Sequence, residues 1–378
     1  MRFARVALMI LFFGSANLAA LDSGIEVSNR FSAQGAWLRG NNLPDGMAIF
    51  AWRPELFGAY NPRPELRLSA EMSVDNRLEL LFQDPEATQT LNFKPYRAWV
   101  AAAWGNTELK AGLQHIRMGV AQIYRPLQWF DNLDPGAFLQ DSKGVLALNL
   151  SHFFPNPELR LWVLPGMGET LETQAVASRQ GSWEYGGRVG VSSLLGETGL
   201  SFDRSEPFYP GADTQPVEEY RFGLDQRVDG WMGGWLEAEL SVLDGDLGCT
   251  PQNAGYPEPR YRAAATLGGD YTFGLGNGLY SLAEISLLST RDSFGPSDPG
   301  WLHKLRGGML LNYPLGLFDT LVMLGTYNEI SPGRYTVSMA WRRSYDKLSW
   351  DLSLGYDSAN PLTRDGATAL GLTINYDI

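Results

Sequence analysis

Basic side chains recur in this sequence at positions that alternate with apolar ones. In the segment Tyr261–Phe273, Arg262 and Asp270 fall on one parity, whereas Leu267 and Tyr271 fall on the other. A guanidinium group is costly to bury without a partner, but it recognises anionic groups well where water reaches it. The chemistry that such residues can do is therefore the attraction or binding of negatively charged groups.

The same parity assigns many charged side chains to one polar wall. The basic set is Arg30, Arg67, Arg77, Arg97, Lys110, Arg160, Arg188, Arg221, Arg227, Arg262, Lys304, Arg306, Arg334 and Arg342. The acidic set is Glu26, Glu71, Glu79, Glu184, Asp225, Glu237, Glu239, Asp270, Glu284 and Asp351. Two interpretations stay open. The wall could concentrate anions near its surface, or its arginines and carboxylates could pair into a network that only stiffens it.

Catalytic chemistry is poorly supported. The sequence has three histidines, His115, His152 and His303. His152 follows Ser151, but adjacent residues of a strand point to opposite faces. The sequence contains no phosphate-binding glycine loop, no nucleophile elbow and no zinc-ligand spacing. It therefore predicts no enzyme, no cofactor and no metal site.

The elements that must position these charges are strands of period two. The last segment, Leu370–Ile378, has apolar residues at every even position and small or polar residues at every odd position. Such a strand has one apolar and one polar face. Many earlier segments repeat the pattern, and beyond residue 20 no apolar run approaches the roughly 20 residues of a spanning helix. Repetition of this kind is typical of a transmembrane barrel with lipid outside and water inside.

The closing segment also resembles the C-terminal assembly signal of Gram-negative outer-membrane proteins. That signal usually ends in Phe or Trp, whereas here Ile378 is last and Tyr376 lies two residues before it. The resemblance implies recognition by the barrel-assembly machinery and a location in the outer membrane of a Gram-negative bacterium.

The N-terminus predicts export. Arg2 and Arg5 precede a short apolar core, Val6–Phe13, and small residues follow up to Ala20. This is the pattern of a secretory signal peptide. We therefore predict a signal peptide over residues 1–20 and a single barrel domain over residues 21–378.

Composition agrees with a barrel. Mean hydropathy is −0.19, as expected when half of each strand is polar. The 42 glycines and 12% aromatic residues suit tight turns and interfacial girdles. The formal net charge of −12 argues against a nucleic-acid partner.

We predict an all-β fold, a transmembrane antiparallel β-barrel of about 18 strands within a range of 16–20. The predicted strands are Ile25–Leu38, Glu65–Ser73, Arg77–Gln83, Tyr96–Trp104, Thr107–Gln114, Gly144–Phe153, Glu158–Leu164, Trp183–Ser193, Glu197–Asp203, Glu219–Val228, Met232–Leu243, Tyr261–Phe273, Gly278–Ser289, His303–Tyr313, Leu317–Asn328, Arg334–Arg342, Lys347–Asp357 and Ala367–Ile378.

Connection lengths orient the barrel. Short turns alternate with mostly longer connections, and short turns belong on the periplasmic side. The second and third predicted strands form a hairpin about Asp75-Asn76. The least certain stretch is Gly46–Tyr60, which contains the strand-like Met47–Trp52 but is assigned to the first long connection.

One stretch differs from the rest, and it runs from Glu108 to Leu139. It resembles a recurrent stretch of Gram-negative porin-like barrels, including the alginate-export-like group, in which a Gly-x-Gln-x-x-Arg-x-Gly strand end leads into a loop that ends near Asn-x-x-Asp-Pro. The matching residues are Gly112, Gln114, Arg117, Gly119, Asn132, Asp134 and Pro135. Met118 stands where the group usually has Trp. The resemblance implies the barrel class rather than a particular substrate.

The loop that follows is too apolar for free solvent, since it carries Ile123, Leu127 and Phe130 among others. We expect it to fold into the barrel and narrow the pore near residues 119–143. The predicted constriction residues are Gln122, Tyr124, Trp129, Asp131 and Asp134, with Arg117 and Arg125 added to the pore lining. The alternative is that the loop packs on another loop or on a partner subunit.

The predicted function is passive diffusion of small hydrophilic, anionic solutes through a channel. The alternative is a barrel that sheathes a periplasmic partner for polysaccharide export or electron transfer. Expected partners are outer-membrane lipid, lipopolysaccharide and the barrel-assembly machinery, with a homo-oligomer or a periplasmic partner as further candidates.

Overall fold

The computed structural model describes residues 24–40, 43–83, 86–130, 144–167, 178–194, 196–207, 217–244, 259–292, 300–329, 333–358 and 366–378. The predicted signal peptide lies outside these residues. The described residues contain no helix that is long and apolar enough to cross a membrane.

All regular elements of the described residues are β-strands. They are β1 (Ile25–Arg39), β2 (Gly46–Arg63), β3 (Leu66–Gln83), β4 (Glu86–Trp104), β5 (Thr107–Gln114), β6 (Val145–Phe153), β7 (Glu158–Pro165), β8 (Trp183–Ser193), β9 (Gly196–Ser205), β10 (Glu218–Asp229), β11 (Gly233–Asp244), β12 (Tyr261–Phe273), β13 (Leu279–Arg291), β14 (Leu302–Pro314), β15 (Asp319–Asn328), β16 (Arg334–Ser344), β17 (Leu348–Asp357) and β18 (Ala367–Asp377).

The strands form one closed sheet. Each pairs antiparallel with the next along the chain, and β1 pairs with β18, where Gly35 lies opposite Leu372. Closure matters because unpaired strand edges are not tolerated in hydrocarbon. The predicted all-β barrel of 18 strands is confirmed.

Register sorts the side chains onto two faces, because residues directly opposite each other in a sheet share a face. On β16 and β17, for example, Met339 lies opposite Leu354 and Trp341 opposite Leu352, and all four side chains are exposed. Aromatic pairs lie near the strand ends of this outer face, as Tyr271 and Phe273 do at 4.9 Å. An apolar band with aromatic borders is the surface that a membrane-spanning barrel presents to lipid.

Two of the predicted strand assignments are wrong. The stretch assigned to a connection is strand β2, and β3 runs straight through Asp75-Asn76 instead of turning there. Asp75 points inward and binds Arg53 and Arg77 at 3.1 and 3.0 Å. Its polarity reflects a lumenal ion pair rather than a turn. The count stays at 18 because one strand was missed and another was divided.

Connections alternate in length as predicted. Those after even-numbered strands are short, at 64–65, 105–106, 154–157, 194–195, 230–232, 274–278, 315–318 and 345–347. Those after odd-numbered strands are mostly longer, at 40–45, 84–85, 115–144, 166–182, 206–217, 245–260, 292–301, 329–333 and 358–366. The exceptions are 84–85 and 329–333, which are no longer than some of the short connections. The connections 40–45 and 84–85 are shorter than predicted because β2 and β4 extend into the predicted long connections. We call the two ends of the barrel the short-connection end and the long-connection end.

Candidate functional site: an inward segment and a charged inner wall

Residues 115–130, which we call the inward segment, leave the sheet at the end of β5 and enter the barrel. Gln114, the last residue of β5, is fully buried, and its side-chain amide donates hydrogen bonds to the carbonyls of Ala147 at 2.8 Å and Lys110 at 3.2 Å. Gly112, two residues earlier, has a φ of 120°, which favours glycine. These features hold the point where the chain turns away from the wall.

Two glutamates on the opposite wall hold the inward segment by its backbone. Glu237 on β11 accepts the N–H groups of Val120, Ala121 and Leu127 at 2.7–2.8 Å. Glu284 on β13 accepts those of Gln122, Ile123 and Tyr124 at 2.6–2.9 Å. Charge-assisted bonds of this kind are the stronger class of hydrogen bond. We call the two carboxylates the glutamate latch.

Gly119 makes the approach to the latch feasible. Its φ is 78°, and a Cβ there would lie 2.2 Å from a carboxylate oxygen of Glu237. Only glycine combines that backbone conformation with the space needed.

Apolar side chains pack against the inward segment on both sides. One cluster joins it to β6 and β7 and contains Ile116, Met118, Leu127, Trp129, Phe130, Val145, Ala147, Trp162 and Leu164. The other joins it to the wall opposite and contains Ala121, Ile123, Trp235, Leu282 and Leu324. The segment therefore crosses the lumen, as expected for a fold-in loop.

The predicted constriction residues occupy different environments. Tyr124 donates its hydroxyl to the carbonyls of Gly307 and Tyr327 at 3.0 and 2.9 Å, and Trp129 donates its indole N–H to Glu239 at 3.2 Å. Gln122 is exposed, and Arg125 is buried. Asp131 and Asp134 lie outside the described residues. Arg117 is exposed at the start of the segment.

All wall cations of the sequence-based set lie on the inner face. Register connects Arg67 through Ala103, Glu108, Ser151, Arg160, Arg188, Ser201 and Gly223 to Glu239, which the inward segment contacts. Arg306 lies opposite Ser286, which shares a face of β13 with Glu284, and it connects through Asn328 to Arg334. Arg342 connects through Asp351 and Thr373 to Gln34, which shares a face of β1 with Arg30. Their part in solute passage stays a prediction.

Most of these arginines are paired, as the stiffening interpretation expects. The pairs are Arg30–Asp377 at 2.8 Å, Arg160–Glu158 at 3.1 Å, Arg188–Asp225 at 2.6 Å, Arg227–Asp229 at 2.9 Å, Arg262–Glu239 at 3.1 Å, Arg334–Asp357 at 2.5 Å and Arg342–Asp351 at 2.7 Å. Arg221 is buried among three carboxylates, Glu184, Asp203 and Glu219, at 2.8–3.5 Å. The inner wall is thus a network of ion pairs over much of its surface.

A different arrangement surrounds Tyr96. Arg53 lies 3.5 Å and Arg97 lies 4.1 Å from the centre of its ring. Arg53 and Arg77 both bind the carboxylate of Asp75. We call Arg53, Arg77 and Arg97, with Tyr96 and Asp75, the basic cluster. Arg53 was missed from sequence because its strand was taken for a connection.

The remaining predicted residues have weaker partners. Lys110 lies over the ring of Trp99 at 3.9 Å, and Arg67 is exposed. Arg306 donates to the hydroxyl of Ser286 at 2.8 Å and lies 4.9 Å from the ring centre of Tyr124.

Two of the three histidines make cross-strand contacts. His152 bonds Thr107 at 2.7 Å, and His303 bonds Ser289 at 2.8 Å. The described residues contain no group of three His, Cys, Asp or Glu side chains that could hold a metal ion.

The fold is that of solved outer-membrane porins. Pseudomonas aeruginosa OccK5 (OpdH) matches with a TM-score of 0.58 at 11% identity, over 94% of this chain and 98% of that one. Acinetobacter baumannii OccAB1 matches with a TM-score of 0.60 at 9% identity, over 94% and 96%. The anion-selective porin from Comamonas acidovorans matches with a TM-score of 0.50 at 11% identity, over 94% and 100%. The sequence itself matches no protein-family model and no curated protein.

Proposed function

We propose that this protein is a porin of a Gram-negative outer membrane, through which small hydrophilic, anionic solutes diffuse. The observation that carries the proposal is the inward segment, which the glutamate latch holds across an 18-stranded barrel. A segment fixed in this way narrows the lumen, and pore width is one of the properties that select solutes.

The proposed passage runs along the arc from β16 through β18 and β1 to β4. The inward segment contacts the stretch of wall at β5–β7 on one side and the stretch between β10 and β15 on the other. The arc faces the segment across the remaining space. Polar side chains line the arc; Gln34, Ser349, Thr373 and Asn375 are on its inner face, together with the pairs Arg342–Asp351 and Arg30–Asp377. Such a surface stays wetted.

The basic cluster supports a preference for anions. The cluster lies beside Gly144, the residue just before β6, because a Cβ on Gly144 would be 3.1 Å from a guanidinium nitrogen of Arg97. Two of its arginines bind the same carboxylate. Guanidinium groups beside a narrow passage attract anions to it. The Comamonas protein with the same fold is named as anion-selective.

The sheath alternative is disfavoured. A barrel that encloses a periplasmic partner needs a wide and uncluttered lumen, whereas here the inward segment is packed between two walls. The proposed role is that of a non-enzymatic channel. Its partners in this proposal are outer-membrane lipid, lipopolysaccharide and the barrel-assembly machinery, with the short-connection end facing the periplasm.

The decisive experiment is planar-bilayer conductance of the purified barrel under a salt gradient. An open channel with a reversal potential on the anion side supports the proposal. A cation-side potential overturns the anion preference, and a barrel that passes no current overturns the diffusion function.

A further inference from the structure

The outer face of strands β1–β5 carries a groove of about 500 Å³ near the short-connection end. Its floor consists of small residues in two adjacent rows of the sheet, namely Gly58, Ala70, Ala98 and Ala111. Larger apolar side chains surround the floor, and these are Ile25, Leu56, Met72 and Val100. A Cβ on Gly58 would meet no atom within 4 Å, so the space above the floor is open.

The groove belongs to the lipid-facing wall. Leu56 and Met72 lie opposite each other, and both side chains are exposed on the outer face. Phe57, Glu71 and Trp99 also border the groove, but they occupy the alternate positions of the same strands, whose side chains face the lumen. The groove is therefore continuous with the apolar band that a membrane-spanning barrel presents to lipid.

Irregular strand pairing accompanies the concave surface. The register of β3 with β4 shifts between Ser73 and Val74, and that of β2 with β3 shifts between Tyr60 and Arg63. An extra residue in one strand bends that strand locally. The groove lies between these two shifts along β3, where the wall departs from a regular sheet.

A cation and two aromatic rings lie at the end of the groove nearest the short connections. Leu66 on β3 lies opposite both Arg63 and Trp104, and Tyr60 lies one row away on the same outer face. Arg63, Tyr60 and Trp104 are all exposed. Leu66 is four residues from Ala70, roughly 13 Å along the strand. Tyr and Trp mark the level of lipid headgroups, and basic side chains there attract anionic headgroups.

We propose that the groove holds an acyl chain of one phospholipid from the leaflet at the short-connection end, and that Arg63 binds the phosphate of that lipid. This inference rests on the outer-membrane location contained in the proposed function, and it is independent of ion selectivity. A lipid chain gains no hydrophobic energy by leaving other lipid chains, so retention depends on close packing and charge. A chain in the groove contacts the wall on several sides. A second copy of the barrel would instead bring an apolar wall against Arg63, which is costly.

The test is native mass spectrometry of the folded, full-length barrel in detergent, titrated with palmitoyl-oleoyl phosphatidylglycerol. We expect a single lipid to be retained by each barrel. The diacylglycerol with the same chains lacks the phosphate, and it should bind roughly tenfold more weakly because the charge-assisted bond to Arg63 is lost.

Two pairs of variants locate the lipid. Gly58→Leu fills the groove and should weaken phosphatidylglycerol binding roughly tenfold. Gly325→Leu is the matched control, because Gly325 is also on the outer face and its Cβ would meet no atom within 4 Å. Arg63→Gln should weaken binding by a similar factor. Arg343→Gln should not, since Arg343 lies at the same end of the outer face but pairs with Asp319 at 2.9 Å.

Equal affinities in Gly58→Leu and Gly325→Leu would overturn the groove as the site, and unchanged binding in Arg63→Gln would overturn the phosphate contact. Multimers of the barrel that dissociate in Gly58→Leu would make the groove an interface between copies instead. If Gly58→Leu does not fold, Ala70→Leu fills the same groove, and retained binding in that variant rejects the site. Bilayer conductance of the same wild-type sample separates the two proposals. An anion-selective channel that retains no phospholipid rejects only the groove, and retained lipid in a barrel that passes no current rejects only the diffusion function.

Discussion

Glu237 and Glu284 lie two strands apart on the inner face, and each carboxylate accepts three backbone N–H groups from the inward segment. Residues 115–130 form no strand or helix in the structure, so their N–H groups cannot pair within a regular element. Two side chains thereby satisfy the backbone of a segment that crosses the lumen. The position of that segment therefore depends on these two side chains as well as on its own apolar packing.

Removing the latch charges should loosen the inward segment. In Glu237→Gln/Glu284→Gln each amide keeps one acceptor oxygen, so some of the buried N–H groups lose their partner at about 1–3 kcal/mol each. We expect larger or noisier single-channel conductance from a barrel that still folds. Glu71→Gln is the matched control, because Glu71 accepts a bond from Trp99 on the opposite arc at 2.9 Å. Unchanged conductance in the folded double variant would show that the latch does not position the segment.

Deleting the constriction should have a stronger effect in the same direction. Replacement of residues 120–129 by a short Gly-Ser linker removes Leu127 and Trp129 from one apolar cluster and Ala121 and Ile123 from the other. Conductance should then rise by roughly twofold or more, because pore width limits the flow of hydrated ions. Single-channel recording measures this rise. A folded deletion variant with wild-type conductance would mean that the segment does not narrow the passage.

Gly119→Ala should disturb the latch from the side of the segment. A Cβ there would lie 2.2 Å from a Glu237 oxygen, and the φ of 78° is unfavourable for alanine. We expect raised conductance and a destabilisation of about 1–3 kcal/mol in urea unfolding. Gly105→Ala is the control, since its φ of 53° imposes similar backbone strain with no atom within 4 Å of the new Cβ. Equal conductance changes in the two variants would assign the effect to strain alone.

The basic cluster should contribute to ion selectivity. Arg53→Gln/Arg77→Gln removes two positive charges that share Asp75, so the local potential becomes less positive. We predict a fall of at least about twofold in the anion-to-cation permeability ratio, measured from reversal potentials. Arg343→Gln is the control, because Arg343 lies on the outer face and pairs with Asp319 at 2.9 Å. If the permeability ratio changed equally in both variants, the basic cluster would not be a determinant of ion selectivity.

Adjacent residues of β16 test the assignment of the two faces. Met339 faces outward and is 43% exposed, whereas Ser338 faces inward. Met339→Arg should destabilise the barrel in lipid vesicles by about 2–4 kcal/mol, the cost of a cation on the lipid face near mid-membrane. Ser338→Arg should cost much less because its charge meets water. Urea titration of both variants measures the difference, and equal costs would contradict a lipid-facing outer wall.

The sequence by itself determined the class of fold and the face of most strand residues, apart from those of β2 and the first half of β4, which were assigned to connections. Both follow from a local property, the period of two along a strand, which lipid enforces because a charge on the outer face is costly. The same period placed Arg30, Arg188, Arg262 and Arg342 on the inner wall without knowledge of their partners. The apolar character of Ile123, Leu127 and Phe130 likewise indicated burial inside the barrel.

Only the tertiary structure decided which groups meet across the lumen. Asp75-Asn76 has the local composition of a turn, and the bonds from Arg53 and Arg77 that explain Asp75 come from strands whose pairing is not a local property. Glu237 and Glu284 were expected to face water, but they bind backbone N–H groups more than a hundred residues away in sequence. A backbone donor carries no signature in the sequence, because every residue except proline has one. The latch therefore exists only once the barrel has closed.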